Sequence, residues 1–248
     1  MTFKYFLFDL GGTLIYFDSR WEDILHELNQ ALWSGLANHG LKLPENDFIN
    51  ALFSAQEVYW KQRDIDLIEK TTYYMLRGLL EDFGIKGVQE TVLRNAIAEM
   101  YTVSQAHWLV EADTVDTLRA MQQHGCRMGL ISNAGDDADV QLLVDKAGGR
   151  PYMDFIISSA GFGKRKPSCE IFEHALSFWD AAPEEVVMVG DRLDVDVLGA
   201  HQVGMMGVWI SRRVKGNYTV EDIKGFAPEL CVDSLVELLA LADGTKEA

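Results

Sequence analysis

Two textures of hydrophobic and polar positions divide the chain. Through residues 17–105 the apolar positions recur at helical spacing, as at Leu25, Leu28, Leu32 and Leu36 and again at Ile68, Met75, Leu79 and Phe83, which predicts an all-helical block. Residues 5–8 (YFLF) and the chain from Cys126 onward carry short continuous apolar runs instead: CRMGLIS, FIIS, VVMVG, MMGVWI and LCVD, with helical patterns between them. Such runs suit strands buried on both faces, and strand–helix–strand repetition joins parallel strands through right-handed crossovers. The punctuation agrees: Gly204 can end the helix that starts after Asp191, and Ser234 with Glu237 forms a capping box for the last one. The pattern therefore predicts an α/β fold, a parallel sheet with helices on both faces. Its core domain spans residues 1–16 and 106–248, and an all-helical domain, residues 17–105, is inserted after the first strand. Trp21, Trp33 and Trp60 lie in that insert, where aromatic residues usually form core.

Composition narrows the function classes. A chain of 248 residues, 48% hydrophobic, can bury a full core without covalent staples. Cys126, Cys169 and Cys231 are odd in number and lack metal-ligand spacing, so a disulfide framework is not expected and a reducing cytoplasm fits best. The formal net charge of −16 opposes binding to a phosphate backbone or an anionic lipid surface, which makes small molecules better partners than nucleic acid or membrane. Asp9 interrupts the apolar start of the chain, and no later run approaches the roughly 20 apolar residues of a membrane span.

In open parallel sheets, ligands bind beyond the carboxyl ends of the strands, so the residues that follow each apolar run are the candidates. Asp9, Gly11, Gly12 and Thr13 follow the first run, and Ser132 and Asn133 follow MGLI. Lys164, Arg165 and Lys166 lie in the loop after FIIS, and Asp191, Asp194 and Asp196 follow VVMV. Carboxylates suit Mg²⁺, which takes hard oxygen ligands. A lysine and a hydroxyl suit a phosphoryl group, whose oxygens need positive charge and donors.

In this order, DLGGTL, LISN, KRKP and GDRLDVD resemble the four motifs of the haloacid dehalogenase-like hydrolases, in the subgroup whose helical cap lies between the first and second motifs. The resemblance implies a Rossmann-like core, a cap domain over residues 17–105, and Mg²⁺-dependent hydrolysis of a small phosphorylated substrate. Asp9 would be the nucleophile, forming an aspartyl-phosphate, and Ser132 and Lys166 would hold the phosphoryl group beside Gly12, Thr13 and Asn133. The metal would be bound by Asp9, the Gly11 carbonyl and Asp191, with Asp196 in support.

One position departs from the family pattern. Phosphatases of the family carry a second Asp two residues after the nucleophile, as general acid and base; here it is Gly11. Three readings follow: a phosphohydrolase whose proton transfers come from elsewhere, with Asp18, Asp136 and Asp137 as candidates; a slow or non-catalytic phosphate-binding regulatory module; or a 2-haloacid dehalogenase. The retained GD of GDRLDVD argues against the third. If the missing acid is the only defect, Gly11→Asp is expected to raise turnover, most of all for alkyl phosphates.

Overall fold

The computed structural model describes residues 2–243. Six strands form one parallel sheet: β1 (Tyr5–Phe8), β4 (Arg127–Ser132), β5 (Met153–Ser158), β6 (Val186–Gly190), β7 (Met206–Ile210) and β8 (Leu230–Val232). Their spatial order is β5-β4-β1-β6-β7-β8, with β1 at the switch between the two halves. The strand period of two sorts side chains between the faces: Phe6, Phe8, Leu130, Val187 and Val189 join one core cluster, and Leu7, Ile131 and Met188 join the other. Phe6, Leu7 and Phe8 are all fully buried, each contributing about 1.5–3 kcal/mol, which explains why YFLF reads as a continuous run rather than an alternating one.

The helical insert is built from α1 (Trp21–Asn38), α2 (Glu45–Asp66), α3 (Thr72–Asp82) and α4 (Glu90–His107). It has its own core, in which Leu28, Leu32 and Leu36 of α1 meet Phe48, Leu76 and Leu93. Two strands not foreseen from the sequence, β2 (Ile15–Phe17) and β3 (Trp108–Val110), pair antiparallel where the chain enters and leaves the insert. At three residues each they are too short to carry a periodic signal.

Ile68 departs from its expected place in a helix. Leu67 takes a left-handed conformation (φ 53°) that ends α2, and the segment that follows docks on the core loops. Arg165 N donates to Leu67 O (3.0 Å), Glu69 N to Gly163 O (3.1 Å) and Thr72 N to Gly135 O (2.8 Å). Inside this contact Glu69 accepts from Arg165 Nη1 (2.9 Å) and Ser159 Oγ (2.7 Å), and it also bonds the Tyr59 hydroxyl. The Glu69 and Arg165 side chains are 1% and 8% exposed, so removing one partner leaves the other charged and desolvated. Arg165→Met is expected to lower stability by about 3–5 kcal/mol in urea denaturation. A loss below about 1 kcal/mol would mean that the segment lifts and lets water reach Glu69.

Candidate active site

The site forms where β1, β4 and β6 end together. Asp9 N extends the sheet ladder by one bond to Val189 O (2.9 Å), which fixes the residue at the end of β1. The chain then turns tightly, with Leu10 O accepting from Leu14 N (2.9 Å) and Ile15 N (3.1 Å). Gly12 is required twice: its φ is +85°, and a Cβ there would stand 2.2 Å from Asp191 Oδ2. Thr13 is fully buried and its Oγ1 donates to Asp9 Oδ2 (3.3 Å). Neither Gly12 nor Thr13 lines the cavity that Asp9 faces; in this structure they shape the turn and orient Asp9.

Lys166 is the hub. Its Nζ donates to Asp9 Oδ1 (2.7 Å) and Ile131 O (2.8 Å), and it lies 2.7 Å from Asp196 Oδ1. Asn133 clamps the Lys166 backbone, donating from Nδ2 to Lys166 O (2.9 Å) and accepting from Lys166 N (2.8 Å). Both ends of its amide are thus committed to holding the lysine rather than turned toward a ligand. Lys164 pairs instead with Glu170 (3.5 Å), and Asp194 with Arg192 (2.5 Å), outside this cluster. Ser132, at the end of β4, is buried and lines the cavity beside Asp9 and Lys166. Asp196 is carried by a single wide turn, Leu193–Val197, and its Oδ2 accepts from Arg192 N (3.1 Å).

Asp9, Asp191 and Asp196 offer oxygens that all lie within 4.8 Å of one another. Lys166 is the cation at their centre; burial opposes its charge, but the Asp196 and Asp9 carboxylates outweigh that and hold its pKa above the ordinary lysine value. Burial pushes Asp191 well above the usual carboxylate range, and the charges of Asp9 and Asp196 push it further. Burial also raises Asp196 against the opposing pull of Lys166. Asp196 Oδ1 is buried and meets Lys166 Nζ as an ion pair at 2.7 Å. An all-oxygen donor set with excess negative charge fits a hard divalent cation.

The same charges set a pH dependence. Because both carboxyls keep protons at pH values where the unfolded chain has lost them, the folded state binds more protons from about pH 4 upward. Their contribution to stability without a divalent cation is therefore fully present below that window and lost as pH rises through it toward neutrality. The difference in melting temperature between the wild type and Asp191→Asn across the window should show this decline, and added Mg²⁺ should flatten it by holding the carboxylates ionised. A metal-free difference that stays constant across the window would contradict it.

The three acids considered as replacements at position 11 have other partners in this structure. Asp18 bonds His107 Nδ1 (2.8 Å), Asp136 caps the following helix by accepting from Asp139 N (3.1 Å), and Asp137 accepts from Ser158 Oγ (2.6 Å). None lines the cavity. Asp139 does: it accepts from Gln105 Nε2 (2.8 Å), and burial, with the Asp136 charge adding, pushes its pKa up to about 6. Gly11 faces the flat edge of Trp108, so that a Cβ at position 11 would stand 2.9 Å from Cη2 and 3.2 Å from Cζ3. The space where a side chain at 11 would begin is filled by an indole. No sequence motif marks Trp108; only the ribbon β2–β3 brings it there. Trp21 and Trp60, expected in the insert's core, also line the cavity, whereas Trp33 packs on that core and bonds Leu43 O (3.1 Å).

Comparison with known proteins agrees with this architecture. The haloacid dehalogenase-like hydrolase family matches residues 3–204, and the chain belongs to that family. It is 31% identical over 134 residues to the glyceraldehyde 3-phosphate phosphatase of Methanocaldococcus jannaschii, covering 54% of this chain and 57% of that protein. Among solved structures, a HAD phosphatase from Thermococcus onnurineus superposes over 99% of this chain and 100% of its own (TM-score 0.63, 23% identity). A 2-haloacid dehalogenase from Pseudomonas syringae pv. Tomato DC3000 does so over the same shares (TM-score 0.69, 21% identity). These two likenesses speak to the fold alone. No helix among the described residues is long and apolar enough to cross a membrane.

Proposed function

We propose that the protein is a cytoplasmic, Mg²⁺-dependent phosphohydrolase of small phosphorylated molecules, with residues 17–105 acting as a cap over the core formed by residues 1–16 and 106–248. The observation that carries this reading is the buried Asp9–Lys166–Asp196 chain, 2.7 Å at each link, with Asp191 beside it. A buried lysine bonded to a strand-end carboxylate orients that carboxylate and offers positive charge to the oxygens of an arriving phosphoryl group. An Asp9 oxygen attacks phosphorus, the bond to the leaving oxygen breaks, and the phosphoryl group resides on Asp9. Ser132 donates to a phosphoryl oxygen throughout. Water then attacks the phosphorus, restoring the Asp9 carboxylate and releasing phosphate. Asp9, the Gly11 carbonyl, Asp191 and Asp196 would hold Mg²⁺, which when bound neutralises charge gathering on the phosphoryl oxygens.

Gly11 and Trp108 restrict the leaving group. With no carboxyl at position 11, departure of an alkoxide lacks its usual proton, whereas an aryl or acyl phosphate needs little help. Positioned acid–base catalysis is typically worth about 10² to 10⁴ in rate, so alkyl phosphates are expected to be poor substrates. Hydrolysis of an aryl phosphate by the purified protein tests the basic reading. It should require added Mg²⁺ and stop with a chelator; activity that survives chelation would overturn the metal assignment.

A further inference from the structure

The cavity between insert and sheet has a volume of about 370 Å³ and two unlike ends. Asp9, Ser132 and Lys166 line the end at the sheet, and the walls supplied by the insert and ribbon are mostly apolar, among them Leu25, Leu28, Trp60, Met75, Met100 and Trp108. A polyhydroxylated body would exchange its hydrogen bonds to water for these surfaces, whereas an apolar ring gains by burial. The polar side chains among the walls are mostly committed. Gln56 and the fully buried Asn29 exchange two amide hydrogen bonds (3.0 and 2.9 Å), Tyr101 shares one with Thr72 (2.8 Å), and Arg165 is bonded by Glu69 (2.9 Å).

Arg63 is the exception. It stands near the end of α2 and lines the cavity, yet its buried Nε has no hydrogen-bond partner among the described residues. Its nearest acid, Asp64, lies 3.7 Å away and is 73% exposed, and its guanidinium sits 5.7 Å from the centre of the Tyr59 ring. Glu69 is already paired with Arg165, which leaves the Arg63 guanidinium without a buried carboxylate partner among the described residues. A buried guanidinium donor left unpaired beside a cavity is suited to an anionic acceptor supplied by the ligand.

We propose that Arg63 is a specificity-determining residue and that the substrate is a phosphate monoester with an apolar, ring-bearing body and a second anionic group. The phosphoryl group lies at Asp9 and Lys166, the body against the indoles, and the second anion on Arg63. This rests on the phosphohydrolase reading above. The test compares kcat/KM for 4-carboxyphenyl phosphate, 4-phosphonooxyphenyl phosphate, phenyl phosphate and glycerol 3-phosphate in the wild type, Arg63→Met and Arg63→Lys.

In the wild type, a ring ester with a second anion should exceed phenyl phosphate by about tenfold or more, chiefly through KM, since a hydrogen bond to a charged group carries that much. The carboxylate and phosphate esters report which anion is preferred. Glycerol 3-phosphate should fall below phenyl phosphate. Arg63→Met should bring the ratio close to one, and Arg63→Lys should keep part of it. Equal losses on charged and uncharged esters would reveal a merely structural arginine and overturn the proposal, as would a preference for glycerol 3-phosphate. Calorimetric binding of 4-carboxybenzylphosphonate against benzylphosphonate reads the same preference without turnover. If no ester is cleaved but the carboxylated phosphonate binds about tenfold tighter in an Arg63-dependent way, the hydrolytic reading fails and the anion site stands. Equal affinities would overturn the anion site.

Discussion

Asp9→Asn should lower turnover of an aryl phosphate by about 10⁴-fold or more, as removal of a covalent nucleophile does in other hydrolases, without destabilising the protein. The substitution keeps the shape of the side chain: the amide oxygen can still accept from Lys166, now 2.7 Å from Asp9, while the amide nitrogen can donate to the Thr13 hydroxyl, now at 3.3 Å. It removes the proposed nucleophile and one of three carboxylates from a buried cluster that holds a single lysine. Repulsion on Asp191 and Asp196 falls, and Lys166 keeps its contact with Asp196. Metal-free melting should therefore stay the same or rise while activity disappears. Residual activity within tenfold of the wild type would remove Asp9 from the chemistry. A large fall in melting temperature would show instead that Asp9 is chiefly the counter-ion of Lys166.

Gly11→Asp alone should fail to raise turnover of alkyl phosphates, and paired with Trp108→Ala it should succeed. The new Cβ would stand 2.9 Å from the Trp108 ring, and the carboxyl beyond it has to displace an indole packed on Phe17 (ring centroids 4.9 Å apart). Phe17 and Trp108 are also register partners in the ribbon at the base of the insert, so the strain is passed to backbone pairing. Overpacking of this kind typically costs about 1–3 kcal/mol. The simple expectation from sequence, that restoring the acid restores the proton transfers, leaves this contact out of account. With Trp108→Ala as the reference, adding Gly11→Asp should raise kcat for an alkyl phosphate by about 10²-fold or more and change aryl phosphate hydrolysis far less. Equal gains on both substrate types would mean that the carboxylate acts by position or charge and not by donating a proton.

The parallel sheet was legible because its central strands bury both faces and so carry a continuous apolar signal, and the helical insert because its spacing changes. The polar residues at strand ends were legible for the same reason: the fold itself assigns the ends of Phe8, Ile131 and Val189 to one edge. The sequence was silent wherever the site depends on contacts between distant segments. Trp108 meets Gly11 only through a three-residue strand, and Arg165 meets Glu69 across 96 residues of chain. Thr13 and Asn133 sit in the right motifs but spend their hydrogen bonds on Asp9 and Lys166, a distinction no residue spacing encodes. Trp21 and Trp60 look like any helical core aromatic until the insert is laid over the sheet.

The leaving-group dependence of kcat/KM tests the account most directly. Measured over a series of aryl and alkyl phosphate monoesters whose leaving-group pKa values span several units, it reports the step in which the ester bond breaks. With Asp9 as nucleophile and Trp108 beside position 11 in place of a proton donor, kcat/KM should fall steeply as the leaving group becomes more basic, and alkyl esters should lie at the bottom of the same line. A flat dependence would contradict this. It would mean that another group, Asp139 being one carboxyl that already lines the cavity, protonates the departing oxygen as well as the missing aspartate would.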